Sequence, residues 1–261
     1  YLNNSIDRFV ALCGNKDNAS EWKRIIHPLY VLPKDISYLQ KIRDYQDQVV
    51  SEYSDNQLEI PRKHKICIIL DDCGSDRTFM HNPIIKDILS NGRHYGMTLL
   101  VLCQYLNQMH PENRDQLDYL GMLYTSNQKN VRKVHEEYVN ICDMRTFKCV
   151  LNACTSNRGM CYIDNTKNPR IIEDCVFFKQ MPWPCNFAPV GSKEVRDYGN
   201  IHYIETQPKQ NKKETVFNTN IDNNTDSDTC EDIPLALSNK CVFTDRKGSI
   251  IISKQNTQHH L

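Results

Sequence analysis

The stretch Lys65-Ile66-Cys67-Ile68-Ile69-Leu70-Asp71-Asp72 decides the fold. Five apolar residues follow a lysine without a polar interruption, and two adjacent carboxylates end the run. A half-exposed strand alternates apolar and polar residues, whereas an unbroken apolar run bounded by charge reads as a central parallel strand covered on both faces. In an open α/β sheet the carboxyl ends of such strands face the ligand crevice. KICIILDD therefore predicts a buried strand that delivers Asp71 and Asp72 to that crevice.

Working outward, Met97 to Cys103 (MTLLVLC) is a second fully apolar strand, ending at Gln104. Between the two, Ile84 to His94 reads as a helix closed by turn residues near Gly96. Upstream, Arg8 to Cys13 (RFVALC) is a short apolar strand ended by Gly14 and a polar turn. In Ile25 to Leu32, Pro28 confines any strand to an edge or a late start. Asp35 to Tyr53 places Ile36, Leu39, Ile42, Val49 and Val50 at helical spacing, with Asp35 as a cap. Downstream, Leu120 to Thr125 is a weaker strand, followed by helices over Val131 to Asn140 and Asp143 to about Ala153. Gly159 to Asp164 and Ile171 to Phe178 read as an antiparallel pair at the sheet's edge. Strands alternating with helices of this length give an α/β class: a mostly parallel sheet with helices on both faces and antiparallel edge strands.

Composition fits one globular domain with an appendage: 261 residues, 39% hydrophobic and 25% charged. No run of eighteen or more apolar residues occurs, and YLNNSIDRF has no signal-peptide pattern, so no membrane partner is expected. The twelve cysteines lie mostly in apolar runs and read as reduced core residues. The one approach to a zinc pattern, Cys142, Cys149, Cys154 and Cys161, contains no CxxC and is read as core as well. A formal net charge of zero gives no global basic field for nucleic acid, although a few local cations could still hold one. Beyond about Glu205 the chain turns polar and rich in Asn, Asp and Thr, which reads as a disordered linker. Cys241 to Ser253 carries a hairpin pattern around Asp245 to Gly248.

The chemistry concentrates at the ends of the two apolar strands. In a phosphate-loop NTPase an acid placed like Asp71 holds the Mg²⁺ that bridges the β and γ phosphates, and a second acid, here Asp72, orients the attacking water. The bland alternative is that Asp-Asp merely stops a strand and caps a turn. Gln104 would sit beside the acids if the strands are neighbours, where it could sense the γ-phosphate; otherwise it is a loop residue. Arg93, in the Asn91 to Gly96 turn, either reaches a neighbouring subunit's nucleotide or simply places a cation at a helix C-terminus. No GxxxxGK[ST] occurs: Gly14 is followed by NKDNASEW, with neither the second glycine nor the lysine. The chain alone is therefore not expected to hydrolyse ATP.

From about His64 to Tyr124, the segments KICIILDDCG and SNGRHYGMTLLVLCQYLNQMHPENRDQLDYL resemble the packaging ATPases of large DNA viruses, the poxvirus-type branch of the FtsK/HerA superfamily. The acidic strand, the NGRHYG turn, the strand ending in Gln104 and the following Arg114 stand in the family's order. The resemblance implies an ATP- and Mg-dependent motor that drives double-stranded DNA into a capsid. Its homo-oligomeric ring would work beside capsid or portal components, in the virion or a viral factory in the host cytoplasm. It gives Asp71 and Asp72 the acidic-motif roles, Gln104 the sensor role and Arg93 the finger role.

The expected organisation is then a partial ATPase domain over 1–204 lacking the phosphate-binding loop, a polar disordered linker over 205–240 and a short hairpin-like tail over 241–261. Truncation upstream is expected to account for the absent loop better than decay of the motif. Two other classes compete: a degenerate relative that only oligomerises or docks, and a two-metal nuclease using Asp71, Asp72 and a third acid, for which Asp76 is nearest.

Overall fold

A computed structural model of the chain describes residues 5–55, 59–182, 188–204 and 241–244. β3 (Ile66–Asp71) is buried along its whole length. It lies between β1 (Arg8–Cys13) and β4 (Met97–Cys103), parallel to both and in register over all six of its residues. β2 (Val31–Pro33) is a three-residue edge strand, parallel to β1. Pro28 opens a 3-10 turn, Pro28–Tyr30, so the strand cannot begin before Val31.

The other half of the sheet is antiparallel. β5 (Tyr119–Met122) pairs with β6 (Gly159–Asp164), and β6 with the edge strand β7 (Val176–Gln180). Ile171 to Cys175, read from the sequence as the start of that last strand, instead makes a 3-10 turn over Ile172–Asp174. Cys241–Thr244 forms β8, which enters the sheet between β4 and β5 and runs antiparallel to each. The spatial order is β2-β1-β3-β4-β8-β5-β6-β7. The hairpin reading around Asp245 to Gly248 and the linker reading of 205–240 fall outside the described residues.

Side chains alternate between two unequal cores, as strand geometry requires. Val10, Leu12, Ile66, Ile68, Leu70, Leu99 and Val101 face the larger one. It is closed by the helices α2 (Ile36–Asp55), α4 (Pro83–Asn91), α6 (Gln128–Tyr138) and α7 (Met144–Thr155), which contribute Leu39, Ile85, Val134 and Phe147. Phe9, Ala11, Cys13, Cys67 and Ile69 face the smaller core with Ile26 and Val31, and Trp22, Leu100 and Leu102 pack against it half-buried. Each side chain as fully buried as Ile68 or Leu70 contributes about 1.5–3 kcal/mol relative to exposure.

The polar turn expected after Gly14 is a helix, α1 (Lys16–Trp22), in which no residue is buried. With no apolar face to repeat at helical spacing, it left no periodic signal. Ile84 to His94 divides: α4 ends at Asn91, and the chain tightens into a 3-10 turn over Gly92–Tyr95. Gly96 then reverses it with φ +64°, a left-handed conformation that glycine adopts without a Cβ penalty. No helix among the described residues is long and apolar enough to cross a membrane.

Candidate active site

Asp71 is the last residue of β3 and only 3% exposed. A buried carboxylate is tolerable only when hydrogen-bonded. Its position in the alternation puts it on the side of Cys67 and Ile69, where Trp22 packs, and the indole Nε1–H donates to Asp71 Oδ2 at 2.9 Å. Asp72 leaves the strand at φ +55°, a left-handed conformation that disfavours most L-residues by roughly 1–2 kcal/mol and that Asp visits more readily. Such strain persists only where surrounding contacts over-determine it. Here Asn15 Nδ2–H donates to Asp72 Oδ2 at 2.7 Å. Behind both acids, Gly14 N–H donates to the Asp71 carbonyl at 2.8 Å. A Cβ on Gly14 would fall 2.1 Å from the Asp72 carbonyl oxygen, so the end of β1 can approach the acids this closely only as glycine.

The neighbouring polar groups have other duties. Burial pushes the Cys73 thiol up to about 12, which makes it an inert packing residue. Asp76 caps α3 (Arg77–Met80) by accepting the Phe79 N–H at 3.0 Å, and pairs with Lys34 Nζ at 3.0 Å. The Phe79 hydrogen bond and then Lys34 hold its carboxyl below the usual range. Among the described residues no group of three or more His, Cys, Asp or Glu is placed to hold a metal. A two-metal nuclease site, which needs a third converging carboxylate, thus lacks it among them. Mg²⁺ makes a smaller demand, because it takes one or two carboxylates and completes its shell with water and phosphate oxygens. The buried Asp71 beside the half-buried Asp72 fits that pattern.

The strand register brings Gln104 to the same end of the sheet. Asp71 pairs with Leu102, so Gln104 stands two residues past that level, exposed, its backbone N–H donating to Gln108 Oε1 at 3.0 Å. Arg93 goes to the other end. It is exposed and precedes Met97, the residue in register with Ile66, so the length of β3, about 20 Å, separates it from the acids of its own chain. Arg114, singled out by its place in the family's order, is 7% exposed. It holds Glu137 with two contacts of 3.0 Å and the Met109 carbonyl at 2.9 Å. Its environment is that of an interior strut tying α5 (Pro111–Arg114) to α6.

The family described as Poxvirus A32 protein matches residues 21–223, a span that includes Asp71, Asp72, Arg93, Gln104 and Arg114. The chain belongs to this family. The acidic strand and the NGRHYG turn both lie within the matched span. Viral relatives of this A32-family chain include an uncharacterized protein of frog virus 3, 20% identical over 76% of the chain and 61% of its own length. Another, from Acanthamoeba polyphaga mimivirus, is 32% identical over 52% and 48%, and a third, from invertebrate iridescent virus 6, is 21% identical over 77% and 76%. The chain thus spans about half to three-fifths of the first two relatives. Among solved structures it is similar to the genome packaging NTPase B204 of Sulfolobus turreted icosahedral virus 2 in complex with ATP-gammaS. That match has 15% identity and a TM-score of 0.42, covering 72% of this chain and 84% of that one. B204 of Sulfolobus turreted icosahedral virus, described as a DNA-packaging ATPase, gives 12% and 0.41 over 68% and 100%.

Sequence reasoning missed Asn15 and Trp22. Asn15 directly before KDNASEW, with Asp17 in the first turn, is a capping signal that could have found α1. Nothing local tells that its two ends meet carboxylates more than forty residues away.

Proposed function

We propose that this chain carries the hydrolysis strand of a viral DNA-packaging ATPase. The observation that carries the reading is the placement of Asp71 and Asp72 at the carboxyl end of a strand paired in parallel on both sides, with Gln104 directly following the next strand. In this reading Asp71 holds Mg²⁺, Asp72 orients and takes a proton from the attacking water, and Gln104 reads the γ-phosphate. The metal, when bound, neutralises charge on the phosphates. The chain is the later part of the motor domain, 1–204 being ATPase domain, and upstream residues supply the phosphate-binding loop absent from its sequence. The motor, a ring of identical subunits, drives double-stranded DNA into a capsid, and works in the virion or viral factory. Arg93, displaced from its own chain's acids, serves the nucleotide of the next subunit.

The test is Asp72→Asn in the protein with its upstream coding sequence restored. Nucleotide binding should persist within about twofold while DNA-stimulated turnover falls by at least about 100-fold, the scale expected for a group that acts on the reacting water. Equal loss of binding and turnover would remove Asp72 from that role. A wild-type protein that neither binds nor hydrolyses ATP would leave the assembly-module reading in place.

A further inference from the structure

α1 touches the acid pair at both of its ends. Asn15, its N-cap, meets Asp72 at 2.7 Å, and Trp22, its last residue, meets Asp71 at 2.9 Å. The Asn15 amide is fully assigned by its partners: Oδ1 accepts the Asn18 N–H at 2.8 Å, which leaves Nδ2 to face the carboxylate. The indole is fixed by packing against the smaller core, so its N–H is aimed before any ligand arrives. The two bonds are parallel in design: each takes one oxygen of one carboxylate and fixes the rotation of the other oxygen.

We propose that α1 is the positioning element of the acid pair, Trp22 orienting Asp71 toward the metal and Asn15 orienting Asp72 toward the water. This rests on the hydrolytic reading of those acids. A neutral amide and an indole suit the task because each donates without adding the positive charge that would compete with a cation. Partners of this kind, one step removed from the metal or the reacting atoms, are typically worth about 10- to 100-fold in affinity or activity. The helix holds the two acids to one frame, so a displacement of α1 moves both together.

Three variants separate positioning from mere folding. Asn15→Ser keeps a good N-cap while its short hydroxyl cannot span to Asp72; it should lower kcat by about tenfold or more with an unchanged KM for ATP. Trp22→Phe keeps the ring and loses the donor; it should raise the Mg²⁺ concentration needed for half-maximal rate by about tenfold, with kcat recovering at saturating Mg²⁺. Trp22→Leu, lacking both, should lose stability as well. A readout free of turnover uses Mn²⁺ as the probe. The chain has two tryptophans, so in a Trp183→Phe background of this chain Trp22 is the sole indole, and excitation beyond the tyrosine band reports it alone. Mn²⁺ should quench it saturably, and Asp71→Asn should abolish the quench. Wild-type turnover with Asn15→Ser and Trp22→Phe both indistinguishable from it would overturn the positioning role. A rise in basal turnover in Asn15→Ser would overturn it too, by making the bond a restraint on Asp72. No turnover and no quench in the parent protein would instead bring down the hydrolytic reading itself.

Discussion

Replacing Gly14 with alanine places a methyl carbon 2.1 Å from the Asp72 carbonyl oxygen and 2.8 Å from its carbonyl carbon. Ordinary contact begins near 3.4 Å, so the two backbones must part by roughly 1.3 Å, more than the few tenths of an ångström that packed backbone yields readily. Neither partner is a flexible side-chain end: one is the exit of β1 and the other the strained residue after β3. The separation also pulls on the 2.8 Å bond from Gly14 N–H to the Asp71 carbonyl. Overpacking of this kind costs about 1–3 kcal/mol. Because the residue displaced is itself a proposed reacting group, a shift near 1 Å should reduce kcat by about 100-fold. The assay pairs urea unfolding of the chain with steady-state ATP hydrolysis by the longer protein. Gly14→Ser should behave like alanine. A Gly14→Ala protein with wild-type midpoint and wild-type kcat would refute the close approach between β1 and the acids.

Mixed assemblies test Arg93. Subunits with Arg93→Ala should regain activity when mixed with subunits that keep Arg93 but have a defective phosphate loop, and no recovery at any ratio would rule out action across an interface. Arg114→Met keeps the stem and removes the guanidinium, leaving the Met109 carbonyl without its donor and Glu137 with Lys133 as its remaining cation, at 2.8 Å. Urea denaturation should give a loss of about 1–3 kcal/mol, part of it restored by adding Glu137→Gln; a loss under ~0.5 kcal/mol would deny the strut. Burial, with Arg8 and Lys63 nearby, lowers the His64 pKa from 6.5. Below 6.5 the unfolded chain therefore takes up more protons than the folded one, so this contribution to stability is complete above that pH and is lost as pH falls toward the folded pKa. Melting between pH 7.5 and 6.0 should show a steeper fall for wild type than for His64→Gln, and parallel profiles would contradict the assignment.

The parallel half of the sheet was legible because its strands are saturated with apolar residues. Ile66 to Leu70 has no polar position and Met97 to Cys103 has only Thr98, too little to suggest an exposed face, while the adjacency of the two strands, conditional in the sequence, is seen in their parallel pairing. Gln46 lay hidden inside an otherwise readable helix: it is 1% exposed and donates to the His64 and Tyr95 carbonyls at 3.0 and 2.6 Å. A glutamine at a helical position looks like surface unless its backbone partners are known. The place of the acids could be read, since a strand's end is a local fact. Their partners could not, because a hydrogen bond between Asn15 and Asp72 depends on how β1 and β3 align. Arg93 shows the converse: its sequence neighbourhood is adjacent to β4, and only the strand direction reveals that it stands at the far end from Asp71.

β8 gives the sheet an unusual order of completion. Cys103, at the end of β4, and Met122, at the end of β5, each pair with Cys241, so among the described strands the one that joins the two halves is the last to leave the ribosome. Until it emerges, each half presents an open rim of backbone donors and acceptors where the finished sheet has a seam. Such long-range closure is slow compared with local pairing. A nascent chain therefore has its acid-bearing half assembled before its sheet is closed, and a cut anywhere between Ile204 and Cys241 would convert the seam from an internal contact into a bimolecular one.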